Sequence, residues 1–120
     1  MSRKRVLLVE DEPDIHDILA MVLRGEGYQV DVAETVAEGM AFLDRWRYAL
    51  VITDWRLPDG DGLRIADAAA GLDAKTIVMS GYLFQVPGGR ADRHETLMKP
   101  LRPREIVTAV ERSIGKAGVC

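Results

Sequence analysis

Short runs of apolar residues recur along the chain with the pattern of strands buried on both faces of a sheet. The first run is Val6-Leu7-Leu8-Val9, and a second run, Ala49–Thr53, is followed directly by Asp54. Because each run is short and rich in β-branched residues, a strand is favoured over a helix. The same pattern predicts three further strands, at Val30–Ala33, Thr76–Ser80 and Thr96–Met98.

Between the predicted strands Val6–Val9 and Val30–Ala33, apolar residues recur every three or four positions, which is the spacing of one helix face. Pro13 stands where the first turn of a helix tolerates proline, and Gly25 and Gly27 are expected to end this helix. The inner face would consist of Ile15, Ile18, Leu19, Val22 and Leu23.

Three later segments carry helix start signals. Thr35 and Glu38 have the spacing of a capping box before a helix that runs to about Arg45. Asp61 is a candidate N-cap for a third helix through Ala70. A last helix is predicted to open at Pro103, with an inner face made of Ile106, Val107, Val110 and Ile114.

Strands that alternate with helices at this spacing predict an α/β fold, a doubly wound five-stranded parallel sheet. A chain of 120 residues has the size of one domain, so a single domain over residues 1–120 is expected. The pattern is weakest from Tyr82 to Glu95, where Pro87-Gly88-Gly89 disfavours a helix. The fourth helix is therefore expected to be short or irregular, and this segment is a candidate mobile element.

Composition excludes several classes of function. The chain has 16 Lys and Arg against 19 Asp and Glu, a net charge of −3, so no direct contact with nucleic acid is expected. The longest apolar run, Ile18–Leu23, is far shorter than the ~20 residues of a membrane span. The single cysteine, Cys120, cannot form an internal disulfide, and we expect a cytoplasmic protein without membrane insertion.

Polar side chains stand at the carboxyl end of four predicted strands. Glu10-Asp11-Glu12 follow the first strand, Asp54 the third and Lys99 the fifth, and Ser80 ends the fourth. In an open α/β sheet, ligands bind at this edge. Two unit charges about 5 Å apart at an effective dielectric near 20 repel by roughly 3 kcal/mol, so clustered carboxylates should recruit a cation or shift their pKa values. Oxygen ligands favour Mg²⁺. This ion keeps several waters and binds through one or two carboxylates, so a phosphate can bind beside them.

The order of these residues resembles the receiver domains of two-component response regulators, the CheY-like family with a flavodoxin-like fold. The resemblance rests on the acid pair Glu10-Asp11, the stretch Asp54–Gly62, the hydroxyl residue Ser80 before Gly81, and Lys99-Pro100. It covers nearly the whole chain. Each of these parts is weak alone, but all four in order at strand ends make a specific signal.

The resemblance implies a role for each of these positions. Asp54 would accept a phosphoryl group, Lys99 would pair with the phosphoryl oxygens, and Ser80 would move to bind them. Mg²⁺ would be held by the carboxylates of Asp11 and Asp54, by the backbone carbonyl of Arg56, and through water by Glu10. The peptide bond before Pro100 is expected to be cis.

The same resemblance implies partners. They are a sensor histidine kinase or phosphotransfer protein and a downstream protein target. A homodimer through the face of the fifth strand and the last helix is a further expectation. The chain would not be an enzyme beyond its own phosphorylation and dephosphorylation.

Some positions depart from the family's usual pattern. Thr96 stands where receivers commonly place the aromatic residue that swings inward on activation, and Leu101 stands where Phe is common. Two alternatives therefore stay open. One is a degenerate receiver that acts as a phosphorylation-independent interaction module, which the acid pair, Asp54, Ser80 and Lys99 disfavour. The other is a phosphatase of the haloacid dehalogenase type, which needs an Asp-x-Asp motif on the first strand and usually a cap domain.

Overall fold

The computed structural model describes residues 4–81 and 94–117 of the chain. In chain order, the strands are β1 (Arg5–Val9), β2 (Gln29–Ala33), β3 (Leu50–Asp54), β4 (Arg56–Leu57), β5 (Gly60–Asp61), β6 (Lys75–Ser80) and β7 (Glu95–Met98). The helices are α1 (Pro13–Gly25), α2 (Val36–Arg45), α3 (Leu63–Gly71) and α4 (Pro103–Ile114).

Five strands form one parallel sheet in the order β2-β1-β3-β6-β7. The strand order reverses at β1 and β3, as in a doubly wound sheet, so their carboxyl ends border the crevice where ligands bind. The sequence prediction of a doubly wound five-stranded sheet is confirmed. Strands β4 and β5 form a separate two-residue antiparallel hairpin directly after β3.

A hydrophobic core lies on each face of the sheet, which explains why the buried strands are continuous apolar runs. Along β1, Val6 and Leu8 join the core under α1 and α4, while Leu7 and Val9 join the core under α2 and α3. Successive side chains of a strand point to opposite faces, so a strand covered on both sides needs apolar residues at every position. All four of these residues are fully buried.

The helix boundaries largely agree with the sequence prediction, and two details differ. The N-cap of α3 is Gly62 rather than Asp61, although the Asp61 carboxylate still accepts a hydrogen bond from the Leu63 amide at 2.7 Å. Ile18 was expected on the inner face of α1 but is 47% exposed, because the sheet covers only the side of the helix that carries Leu19 and Leu23. The predicted irregular fourth helix falls mainly on residues 82–93, which lie outside the described residues.

A buried histidine ties the beginning of β7 to two other elements. His94 Nε2 lies 2.8 Å from Asp67 Oδ1 on α3, and His94 Nδ1 lies 2.5 Å from Thr76 Oγ1 on β6. Both ring nitrogens of this buried histidine therefore have a hydrogen-bond partner. The sequence offered no signal for this bridge, because its three members are distant in the chain.

Among the residues that the structure describes, no helix has both the length and the apolar character needed to cross a bilayer.

Candidate phosphoacceptor and metal site

The predicted site residues meet at one edge of the sheet. Glu10 and Asp11 follow β1, Asp54 and Ser80 end β3 and β6, and Lys99 follows β7. Because these strands are parallel, their carboxyl ends share an edge, where a cleft of about 290 Å³ is bordered by Asp11, Asp54, Arg56, Ser80 and Lys99 among others.

Lys99 is the cation that contacts the buried carboxylates of this site. Its Nζ atom lies 2.8 Å from Asp54 Oδ1 and 2.8 Å from Glu10 Oε1. The Glu10 residue is fully buried and Asp54 is only 4% exposed, so both carboxylates are largely removed from water. Burial by itself lowers the pKa of Lys99, but hydrogen bonds to Asp54 and Glu10 outweigh it and the pKa is raised. The lysine therefore stays charged.

The two buried carboxyl groups differ in their affinity for a proton. Burial, together with a hydrogen bond to Glu10, raises the pKa of Asp54 to about 8 despite Lys99. At Glu10, burial is outweighed by hydrogen bonds with Asp54, Lys99 and the amide of Glu12, and the pKa is lowered. In the absence of a metal ion, Asp54 is therefore the carboxyl group of the pair with the greater affinity for a proton.

The donor set fits a hard divalent cation. Carboxylate oxygens of Glu10, Asp11 and Asp54 all lie within 4.8 Å of one another, and the Asp11 side chain is the one most open to solvent. Carboxylate oxygen is the ligand type that Mg²⁺ prefers, and Mg²⁺ binds through few protein ligands while retaining several waters. A cation here would replace the proton on Asp54, since both favour the same oxygens.

Arg56 and Ser80 are positioned by backbone contacts. Arg56 pairs with Asp61 in the β4–β5 hairpin, and its guanidinium lies over the Trp55 ring with 4.8 Å between the guanidinium carbon and the ring centroid. Ser80 is 5% exposed, and its carbonyl accepts a 3.0 Å hydrogen bond from the Lys99 amide. This bond joins the ends of β6 and β7, so the main chains of Ser80 and Lys99 are adjacent, and both residues line the cleft. The peptide bond between Lys99 and Pro100 is cis, as expected.

Gly62 is a further residue of this site, which the sequence indicated only as the end of the stretch Asp54–Gly62. A Cβ atom at this position would lie 1.8 Å from the Asp54 carbonyl oxygen and 2.7 Å from Thr53 Oγ1. The Gly62 amide also donates to the Trp55 carbonyl at 2.7 Å. The glycine is required because the start of α3 touches the backbone of the candidate phosphoacceptor.

The residues that depart from the usual pattern lie on β7 and just beyond it. Thr96 is exposed, and Leu101 is partly buried against the core under α1 and α4. The helical spacing places His16 on the polar side of α1, where a solvated residue is expected. The ring is instead mostly buried, with Nε2 3.1 Å from Glu34 Oε2 and Nδ1 3.0 Å from Asp17 Oδ1. Its two acidic neighbours explain why a polar ring is tolerated there.

The fold and the site together define a class of protein, and comparison with known proteins agrees. Residues 6–111 match the sequence profile of the family described as the response regulator receiver domain. The chain belongs to the response regulator receiver family.

Solved structures of relatives share the fold along nearly their whole length. A CheY-like receiver domain protein from Methanospirillum hungatei is 30% identical with a TM-score of 0.86, and the match covers 94% of each chain. The response regulator TrrA from Thermotoga maritima, solved in complex with Mg²⁺ and BeF, is 31% identical with a TM-score of 0.81. That match covers 91% of this chain and 97% of TrrA.

Curated relatives include longer proteins. The DNA-binding response regulator MtrA from Mycolicibacterium smegmatis is 32% identical over 116 residues, which are 90% of this chain and 49% of MtrA. The chain thus spans about half the length of this relative.

The raised pKa of Asp54 leads to a stability prediction. A carboxyl group with a folded pKa near 8 and an ordinary value of 3.8 costs the native state stability as the pH rises through that interval. We expect Asp54→Asn to stabilise the metal-free protein by about 1 kcal/mol at pH 8, and the gain to vanish near pH 4. Urea unfolding in EDTA at several pH values measures this difference.

Asp44→Asn on the exposed side of α2 is the matched control, and its effect should stay near zero throughout. Equal stabilities of wild type and Asp54→Asn at pH 8 would show that the buried Asp54 carboxyl group does not destabilise the native state.

Proposed function

We propose that this chain is a phosphoacceptor that receives a phosphoryl group on Asp54 from a histidine kinase or phosphotransfer protein in the cytoplasm. The observation that carries the proposal is the contact of Lys99 Nζ with Asp54 Oδ1 at 2.8 Å, in a cleft that Asp11 also lines. The same Nζ atom contacts the buried Glu10. A nucleophile, a cation and further acidic ligands are the groups that phosphoryl transfer requires.

The transfer needs positioning and charge neutralisation rather than elaborate covalent machinery. An Asp54 carboxylate oxygen attacks the phosphorus of a phosphorylated imidazole. The O–P bond forms as the P–N bond breaks, the electron pair returns to the imidazole nitrogen, and Asp54 becomes an acyl phosphate. Lys99 then pairs with a phosphoryl oxygen, and the Ser80 hydroxyl, held beside it by the β6–β7 bond, donates to another.

Mg²⁺ is the cofactor we assign to the acidic ligands. Glu10, Asp11 and Asp54 would hold it, together with the backbone carbonyl of Arg56. When bound, the cation favours the ionised form of Asp54 and offsets the charge of the phosphoryl oxygens.

The modification would be read by protein contacts. The downstream partner we propose is a protein target, and association of two copies through the face of β7 and α4 belongs to the same proposal. Turnover would be limited to the chain's own phosphorylation and to hydrolysis of its acyl phosphate, so we do not class the chain as an enzyme.

Intact-mass analysis after incubation with acetyl phosphate and Mg²⁺ tests the proposal. We expect a gain of one phosphoryl group in the wild type, since the small donor offers the same reacting phosphorus. The adduct should be absent in Asp54→Asn and lost when EDTA removes the cation.

Asp67→Asn is the control for a carboxylate outside the cleft, and it should still be phosphorylated. Absence of an adduct from both acetyl phosphate and a cognate kinase would favour the degenerate interaction module. Sustained turnover of an organic phosphomonoester would favour the phosphatase alternative.

A further inference from the structure

The first turn of α2 is held by a residue from another part of the chain. The Asp59 carboxylate accepts hydrogen bonds from the amides of Val36 at 2.7 Å and Ala37 at 3.0 Å, one on each oxygen. The side chain of the N-cap residue Thr35 accepts from the Glu38 amide, at 3.0 Å. The first amides of a helix lack partners within it, so Asp59 satisfies two groups that the local sequence leaves unpaired.

Asp59 lies in the turn of the β4–β5 hairpin. In this hairpin Leu57 pairs with Gly60, and Arg56 pairs with Asp61. Gly60 has a φ of 152°, a backbone conformation that favours glycine, and an added Cβ would lie 3.7 Å from Val36 Cγ2. The turn is therefore close enough to α2 for a short aspartate side chain to reach both amides.

The same hairpin carries the main chain of Arg56, which borders the acidic cleft. Immediately before it, the Trp55 amide donates to the Met79 carbonyl at 2.8 Å, so that end is attached to β6. The hairpin is thus held at one end by the sheet and at its turn by α2. The backbone of Arg56 lies between these two attachments.

Leu57 also contacts the core on this side, but its contact is of a different kind. It is 9% exposed and belongs to the same buried cluster as Val36 and Leu43. Apolar packing is non-directional, whereas two hydrogen bonds to adjacent amides specify both distance and orientation. These bonds also lower the pKa of Asp59, so the carboxylate remains an acceptor at neutral pH.

We propose that Asp59 is a positioning residue for the divalent cation, acting through the hairpin on the main-chain carbonyl of Arg56. This inference rests on the proposed function, since it concerns the cation that the phosphoacceptor site takes. The contact between Asp59 and the start of α2 therefore affects how tightly the site binds the cation, although Asp59 itself is not a ligand.

Calorimetric titration of the full chain with MgCl₂ tests the inference. We expect Asp59→Ala to raise the Mg²⁺ dissociation constant at least threefold. Thr35→Ala is the matched control, because it also removes a side-chain hydrogen bond from the first turn of α2 but does not touch the hairpin. It should lower the melting temperature while leaving the dissociation constant within 1.5-fold of wild type, a factor on the order of experimental error.

Loss of a negative charge is a competing explanation, and salt separates it from positioning. Asp59 is exposed, so its long-range attraction for a cation is largely screened at about 0.5 M NaCl, where the Debye length is only a few ångströms. The ratio of the dissociation constants of Asp59→Ala and wild type should persist in this buffer. A ratio that falls to one at high salt, or an equal loss of affinity in Thr35→Ala, would overturn the inference.

The outcomes also distinguish the inference from the proposed function. Mg²⁺ binding by wild type with an unchanged constant in Asp59→Ala would overturn the inference alone. Absence of Mg²⁺ binding by wild type would remove the metal site, and with it both proposals.

Discussion

Gly62→Ala should destabilise the protein by about 3 kcal/mol, the upper part of the usual range for overpacked sites. The added methyl group would stand 1.8 Å from the Asp54 carbonyl oxygen and 3.0 Å from its carbonyl carbon, so the backbone itself must shift. Because the displaced backbone carries the candidate phosphoacceptor, the rate of phosphorylation by acetyl phosphate should fall as well. Equilibrium unfolding in urea measures the stability change.

The control lies at the other end of the same helix. An added Cβ at Gly71 would meet no atom within 4 Å, so Gly71→Ala should be neutral or should stabilise the protein by up to about 1 kcal/mol. If the two variants unfold at the same urea concentration, the close approach of α3 to Asp54 does not exist in solution.

Lys99→Met is the second variant with a large expected effect. It keeps the length of the side chain but removes the cation from between Glu10 and Asp54. Removing one partner of a buried ion pair typically costs about 3–5 kcal/mol, and because the Lys99 side chain is 25% exposed we expect about 3 kcal/mol at pH 8. Urea unfolding across a pH series gives this value.

The pH dependence of Lys99→Met has a definite sign. Without the lysine, the pKa of Asp54 must rise further and the pKa of Glu10 must rise from its lowered value. An increase in a carboxyl pKa costs stability as the pH increases. The defect should therefore shrink from pH 8 to pH 5, and adding Asp54→Asn should recover part of it. Lys75→Met, at an exposed lysine on β6, is the control and should change stability by less than about 0.5 kcal/mol. If the stability loss of Lys99→Met were independent of pH, lost packing rather than lost charge would account for most of it.

Much of the architecture follows from local patterns in the sequence. The apolar runs at Val6–Val9 and Ala49–Thr53 predicted strands because a strand covered on both faces has no position for a polar side chain. Parallel strands end at one edge, so the placement of Asp54, Ser80 and Lys99 after or at strand ends was enough to predict that they meet. The chemistry that these residue types suggest stays a prediction.

Residues whose importance comes from distant contacts were missed or misassigned. Gly62 and Asp59 belong to the stretch Asp54–Gly62 that carries the resemblance. The sequence could not show that Gly62 touches the Asp54 carbonyl or that Asp59 caps α2 from 22 positions away. His94 likewise had no visible partner, although it bridges Asp67 and Thr76. No local periodicity encodes such contacts, because they form only when separate elements pack together.

Hydrophobic periodicity and residue order thus determined the elements, the sheet and the members of the site. The tertiary structure alone decided which ionised groups pair, and how far burial shifts their proton affinity. Lys99 contacts both Glu10 and Asp54, and the pKa of Asp54 is raised while that of Glu10 is lowered. The physical reason is that electrostatic energies depend on distances and burial, which the order of residues along a chain does not specify.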